Sequence, residues 1–117
     1  MIDNSVIGNC KPGFQKKRFQ KLKRGEIPYT FEIELHHHTE IQAKNKLDDV
    51  LPQCQLDGDL VGLIIHGKGI GSGADGPKLK GLVDQYLQYN PNVLAYHSAI
   101  QKDGGTGAVY VQLKNIN

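Results

Sequence analysis

Glu34 and His36 stand two residues apart at the end of a short alternating run, and His66 and Lys68 repeat that spacing after a second, fully apolar run. At strand spacing, residues i and i+2 share a face, so a carboxylate and an imidazole fall side by side. A carboxylate in that position orients the ring and favours its charged form, which suits a general acid or base. His66 and Lys68 open a loop, His66-Gly67-Lys68-Gly69-Ile70-Gly71-Ser72-Gly73, in which four of eight residues are glycine. A glycine turn leading into a helix aims several N–H groups at one point, and an ammonium adds charge there. The expected chemistry is binding of, or proton transfer at, a phosphate. The plain alternative is a Glu and a His at a sheet end beside a solvated loop.

Other chemistries find less support. His36-His37-His38 invites a metal reading, but no third ligand follows at suitable spacing and neither Cys10 nor Cys54 has a metal-binding partner, so no metal site is assigned. Gly71-x-Gly73-x-x-Gly76 matches a dinucleotide fingerprint, although it lies five residues beyond the apolar strand and no acid ends the next one. A nucleotide-binding domain using that fingerprint is kept as a third reading. His97 reads as a structural or rim residue, and the tyrosines read as packing.

The elements that must carry these residues follow from periodicity. Phe31, Ile33 and Leu35 alternate with Glu32, Glu34 and His36, the pattern of a half-buried strand. Thr39 and Gln42 have capping-box spacing before Ala43, Leu47, Val50 and Leu51, which share a helix face, and Pro52 is expected to stop that helix. The apolar strand at 60–65 comes next, then a helix from about Pro77 through Leu87. Residues 93–99 read as a third strand, with Val93, Ala95, His97 and Ala99 on one face, and 108–113 as a fourth after a glycine turn. The order β-α-β-α-β-β predicts a two-layer α/β sandwich: a four-stranded mixed sheet with both helices on one face, provided strand order does not reverse between the crossovers.

At 117 residues the chain suits one domain. Its net charge of +2 hides an asymmetry: residues 1–24 carry seven Lys and Arg against Asp3 alone, or +6, and the remainder carries seven against eleven acids, or −4. Residues 1–24 are therefore expected to form a partly disordered basic arm that follows a polyanion, with 25–117 as the domain. No apolar run reaches the roughly 20 residues of a membrane span, no signal-peptide core stands at the N-terminus, and a cytoplasmic setting without a membrane partner is expected.

Taken together, Ile33-Glu34-Leu35-His36 with Thr39 and Ala43, then His66-Gly67-Lys68-Gly69, Pro77-x-Leu79-Lys80, Val93-x-Ala95-Tyr96 and Gly104-Gly105-x-Gly107-Ala108-x-Tyr110-Val111-x-Leu113 resemble the Smr (small MutS-related) domain family. Arg24-Gly25-x-Ile27-Pro28 resembles the lead-in of its stand-alone bacterial members. The resemblance covers about residues 18–117. It implies a sandwich like the C-terminal domain of translation initiation factor three. It also implies an endonuclease that nicks DNA or cleaves RNA, some members acting on messenger RNA at ribosomes. Glu34, His36, His66 and Lys68 would be catalytic. Gly67, Gly69 and Gly71 of the loop, Lys16, Lys17, Arg18, Lys21, Lys23 and Arg24 of the arm, and Lys78 and Lys80 of the second helix would hold nucleic acid. Cleavage of RNA through its 2′-OH requires no cofactor. Cleavage of DNA requires an activated water, for which a divalent cation is one route. Two departures stand at the centre: the family's Asp is Glu34 and its Gly after the His is His37. They open a second reading, a nucleic-acid- or ribosome-binding module with weakened cleavage.

Overall fold

A computed structural model of the protein describes residues 4–68 and 76–117. The described residues form β1 (Gly8–Cys10), α1 (Lys16–Lys23), β2 (Phe31–Glu34), α2 (Glu40–Leu56), β3 (Val61–Ile65), α3 (Gly76–Tyr89), β4 (Val93–Ser98) and β5 (Ala108–Leu113), with two 3-10 turns, Gln101–Asp103 and Gly105–Gly107, before β5. The expected α/β class and the β-α-β-α-β-β order both hold from β2 onward.

The strands make one sheet in the order β1-β4-β5-β3-β2. β2 pairs parallel with β3, from Phe31 opposite Gly62 to Glu34 opposite Ile65, and β5 runs antiparallel between β3 and β4. The two crossovers step along the sheet in the same direction, so α2 and α3 share a face. Ala43, Leu47 and Leu51 of α2 and Leu79, Val83 and Leu87 of α3 pack there on Ile33, Ile64, Val109 and Val111. β5 is buried along its whole length because its alternate residues, Ala108 and Tyr110, face a second cluster on the opposite side.

That second cluster is where the structure departs from the expected sandwich. Residues 4–24, read as a partly disordered arm, are built into the domain. β1 pairs antiparallel with β4, adding a fifth strand, and α1 lays Phe19 and Leu22 on the face that α2 and α3 leave open. Leu22 is fully buried, with Val61, Leu63, Ala95 and Tyr110 in the same cluster. Basic residues mask this apolar stripe in the sequence. α1 ends in a Schellman motif, with Glu26 N–H donating to Lys21 O (2.9 Å) and Gly25 N–H to Leu22 O (3.1 Å). Gly25 has φ +68, and a Cβ there would lie 2.7 Å from the Tyr110 hydroxyl, so the position admits only glycine.

Two local expectations also change. α2 runs through Pro52 to Leu56, because Leu51, Cys54 and Gln55 continue its buried face, and that packing outweighs the hydrogen bond the proline cannot make. A bulge between Val93 and Ala95 shifts the register of β4, so Val93 joins Tyr96 under α3 while Ala95 faces α1. The capping box forms as read: Thr39 Oγ1 accepts from Gln42 N–H (3.2 Å), and Gln42 Oε1 accepts from Thr39 N–H (3.0 Å). Among the described residues no helix is long and apolar enough to cross a membrane.

Candidate functional site

Parallel pairing of β2 with β3 carries both chemical pairs to one edge of the sheet. Glu34 lies opposite Ile65, and Leu35 N–H donates to Ile65 O (2.7 Å), so the segment holding His36 leaves the sheet beside the segment holding His66. In open α/β sheets, ligands gather at this carboxyl edge.

At the end of β2 the chain turns at once. His38 N–H donates to Leu35 O (3.0 Å), closing a four-residue turn with His36 and His37 in the middle. His37, its third residue, has φ +71, a conformation glycine adopts at no steric cost and L-residues rarely adopt. The family's Gly at this position is thus a backbone requirement that His37 meets under strain. Its exposed ring lies 4.0 Å from the His36 ring, tilted by 48°. The Glu34 carboxylate does not bind the His36 imidazole as the strand spacing suggests. Its Oε1 accepts from the His36 backbone N–H at 2.6 Å, since strand alternation stops at Glu34 and the turn brings that amide back over the side chain. Lys46 of α2 donates to Glu34 O (3.0 Å), tying helix to turn. The half-exposed His36 ring is therefore placed by its main chain.

At the end of β3, His66 N–H and Gly67 N–H both donate to Gly107 O (3.0 and 2.9 Å). This fork joins the glycine loop to the turn before β5. A Cβ on Gly107 would sit 3.1 Å from Lys68 Cγ and 3.4 Å from the Gly67 carbonyl carbon, so a side chain there would push Lys68 away. His66 itself is fully buried, with its Nδ1 2.8 Å from Gly67 O. Of the four residues expected to be catalytic, His66 alone is without solvent exposure, its ring at the first bend of the loop. Lys68 remains half-exposed at the edge.

The turn that Lys68 leans on is fixed from below. The buried Tyr110 hydroxyl donates to the Asp103 carboxylate and accepts from Ile100 N–H (3.4 Å), which anchors the Gln101–Asp103 turn. Burial and the Asp103 hydrogen bond push the Tyr110 phenol well above its ordinary value. Sequence reading treated Gly104–Gly107 as a hairpin turn only. Its three glycines were the available signal that another backbone passes close by.

The basic residues divide. Lys16, Lys17, Lys21 and Arg24 are exposed on α1 and its C-cap, and Lys78 is exposed on α3. Arg18 turns back onto the sheet, its Nε and Nη2 donating to Oε1 of the buried Gln112 at 3.0 and 2.8 Å. Lys80 is corrected outright. It is 4% exposed and its ammonium donates to Ser5 O, which ties α3 to the N-terminal segment and turns the ammonium inward, away from the surface a phosphate would meet. Gly69, Gly71 and most of the dinucleotide-like fingerprint lie outside the described residues. Among the described residues, no group of three or more His, Cys, Asp or Glu side chains is placed to hold a metal ion.

Comparison with known proteins fits this geometry. The family model of the Smr domain matches residues 33–114. The ribosome rescue factor SmrB of Aeromonas hydrophila is 36% identical over 98 residues, which is 84% of this chain and 53% of that protein. SmrB of Pectobacterium carotovorum is 31% identical over 101 residues, 86% of this chain and 53% of its own length. The chain thus spans about half the length of these curated relatives. Among solved structures, YdaL, a stand-alone small MutS-related protein from Escherichia coli, superposes with a TM-score of 0.80 at 27% identity, covering 94% of this chain and 84% of YdaL. The Smr domain of Thermus thermophilus MutS2 superposes with a TM-score of 0.64 at 25% identity, covering 73% of this chain and 99% of that domain.

Proposed function

The chain belongs to the Smr domain family, and on that premise we propose that it is a small nucleic-acid endonuclease working at the carboxyl edge of its sheet. The observation that carries the proposal is the β2–β3 register, which sets the His36 turn beside the Lys68 loop. On RNA, His36 takes the proton of a 2′-OH, whose oxygen attacks the adjacent phosphorus. The bond to the 5′ oxygen breaks, and that oxygen takes its proton from solvent, which reaches this open edge. Lys68 stabilises the charge that develops on the phosphoryl oxygens. Glu34 holds the His36 amide and so fixes the turn, and the exposed lysines of α1 bind the backbone without reading its sequence. DNA lacks the 2′-OH and would require an activated water. Among the described residues no group of three His, Cys, Asp or Glu side chains is placed to hold a metal ion that would activate it. The name ribosome rescue factor on the relatives supports RNA at the ribosome as the substrate's setting.

A second reading has its own observation. The His37 ring against His36, on a strained backbone, favours a binding module whose cleavage has weakened. One experiment separates the two. Labelled single-stranded RNA and supercoiled plasmid are incubated with the wild type and with His36→Ala, each with and without EDTA. Cleavage abolished by His36→Ala supports the nuclease, and undiminished cleavage sinks the role given to His36. Salt-dependent binding without cleavage, on ribosome-bound RNA as well, favours the binding module.

A further inference from the structure

A cleft of about 370 Å³ opens next to Lys68, on the side away from His36's turn in the sheet order. Its walls come from elements distant in sequence: Lys23 of α1, Lys68 after β3, His97 of β4, and Gln101, Gly105 and Thr106 of the two 3-10 turns. Among the described residues no carboxylate side chain lines it, and neither Lys23 nor Lys68 forms an ion pair with one. Two ammonium groups facing one cavity without counter-charge repel each other and attract an anion. The Lys23 ammonium is held in place. It lies 4.7 Å from the centroid of the Phe19 ring, which in turn meets His97 edge-on at 6.0 Å. Burial, aided by Lys23, lowers the His97 pKa from its ordinary value against the 2.9 Å contact of its Nδ1 with Ser98 O, which favours the proton. The site therefore offers two cations, one of them held over an aromatic ring, together with hydroxyl and amide groups, in a space within the range of small-ligand pockets.

We propose that this cleft is a subsite for the nucleotide flanking the cleaved linkage, with Lys23 and Lys68 clamping its phosphodiester and Thr106 and Gln101 meeting its sugar. Lys68 lines the cleft and borders the His36 edge, so a phosphate seated here is the immediate neighbour of the one that reacts. The inference rests on the nuclease reading for the words "cleaved linkage". The cleft itself does not.

The test keeps those two apart. Binding of a ten-nucleotide RNA is measured in the His36→Ala background, for Lys23→Gln and for Lys114→Gln. The second variant removes the same charge from an exposed position just past the end of β5, outside the cleft. Lys23→Gln is expected to weaken binding about tenfold, the worth of one charge-assisted hydrogen bond, and Lys114→Gln much less. Lys23→Arg, which keeps the charge, should retain affinity. Single neutral methylphosphonate linkages are then scanned along the RNA. The Lys23→Gln loss should vanish at one linkage, adjacent to the cut mapped with the wild type. Equal losses in the Lys23 and Lys114 variants, or coupling at no single linkage, overturn the subsite. So does a coupled linkage more than one nucleotide from the mapped cut. Binding without cleavage by the wild type overturns the nuclease reading instead, and a coupling at one linkage then still establishes the cleft as a phosphate site.

Discussion

At His37 the backbone sits at φ +71 in a turn closed by the Leu35 carbonyl and the His38 amide. Comparing His37→Gly with His37→Ala isolates what that backbone costs. Both remove the ring that lies 4.0 Å from His36, so the lost contact cancels. Left-handed backbone costs an L-residue about 1–2 kcal/mol. Glycine returns about 0.5–1 kcal/mol of that through its greater freedom in the unfolded chain. His37→Gly should therefore be more stable than His37→Ala by about 0.5–1 kcal/mol, the reverse of the order at an ordinary position. Unfolding 117 residues releases about 0.25 kcal/mol per degree, which makes the difference about 2–4 °C in Tm. Urea titrations with a common slope give the same comparison at constant temperature. An alanine variant as stable as the glycine variant, or more so, would show that the turn does not impose this backbone. The same proteins report on function. Removing the ring from His36 in His37→Gly should raise RNA cleavage, and adding Glu34→Asp should preserve it, because an Asp reaches the amide two residues on by an Asx-type turn. If stability rises while cleavage falls, His37 is part of the machinery and not a cover over it.

Three further outcomes follow from the same contacts. Tyr110→Phe removes the hydroxyl that serves Asp103 and Ile100 N–H, and should cost about 1–2 kcal/mol, read as a Tm lower by about 4–8 °C; an unchanged Tm refutes the anchoring role. His97 has a depressed pKa in the folded protein, so its contribution to stability is complete above the unfolded value of 6.5 and is lost as pH falls towards the folded value. Urea midpoints of wild type and His97→Gln should therefore diverge in slope below pH 6.5, with the wild type losing more. Finally, Lys78→Gln should reduce the salt dependence of single-stranded RNA binding by about 0.7 in log–log slope, whereas Lys80→Met should lower stability and leave that slope unchanged. A slope change in Lys80→Met would put that ammonium back at the phosphate.

Local patterns in the chain lay out the frame from Phe31 to Leu113. Alternation at Phe31, Ile33 and Leu35, the Thr39–Gln42 box and the apolar run before His66 are local signals, and each formed the element it predicted. The Smr motifs, in order, fixed the family and the residues at the sheet's edge. Distances between segments far apart in the chain came only with the packing of the elements. Lys80 turned inward to Ser5 O, Arg18 turned to Gln112, and His66 was buried. No periodicity shows which surface a neighbour 75 or 94 residues away will cover. The basic N-terminal segment was misread for the same reason. Its apolar stripe is short and hidden among basic residues, and Phe19 and Leu22 find their partners on a second apolar face of β3, β4 and β5 that the sequence of α1 does not contain. The departure at His37 was visible as a residue in the wrong place. Its physical meaning, a side chain forced onto glycine's backbone beside the His36 imidazole, came only with the turn.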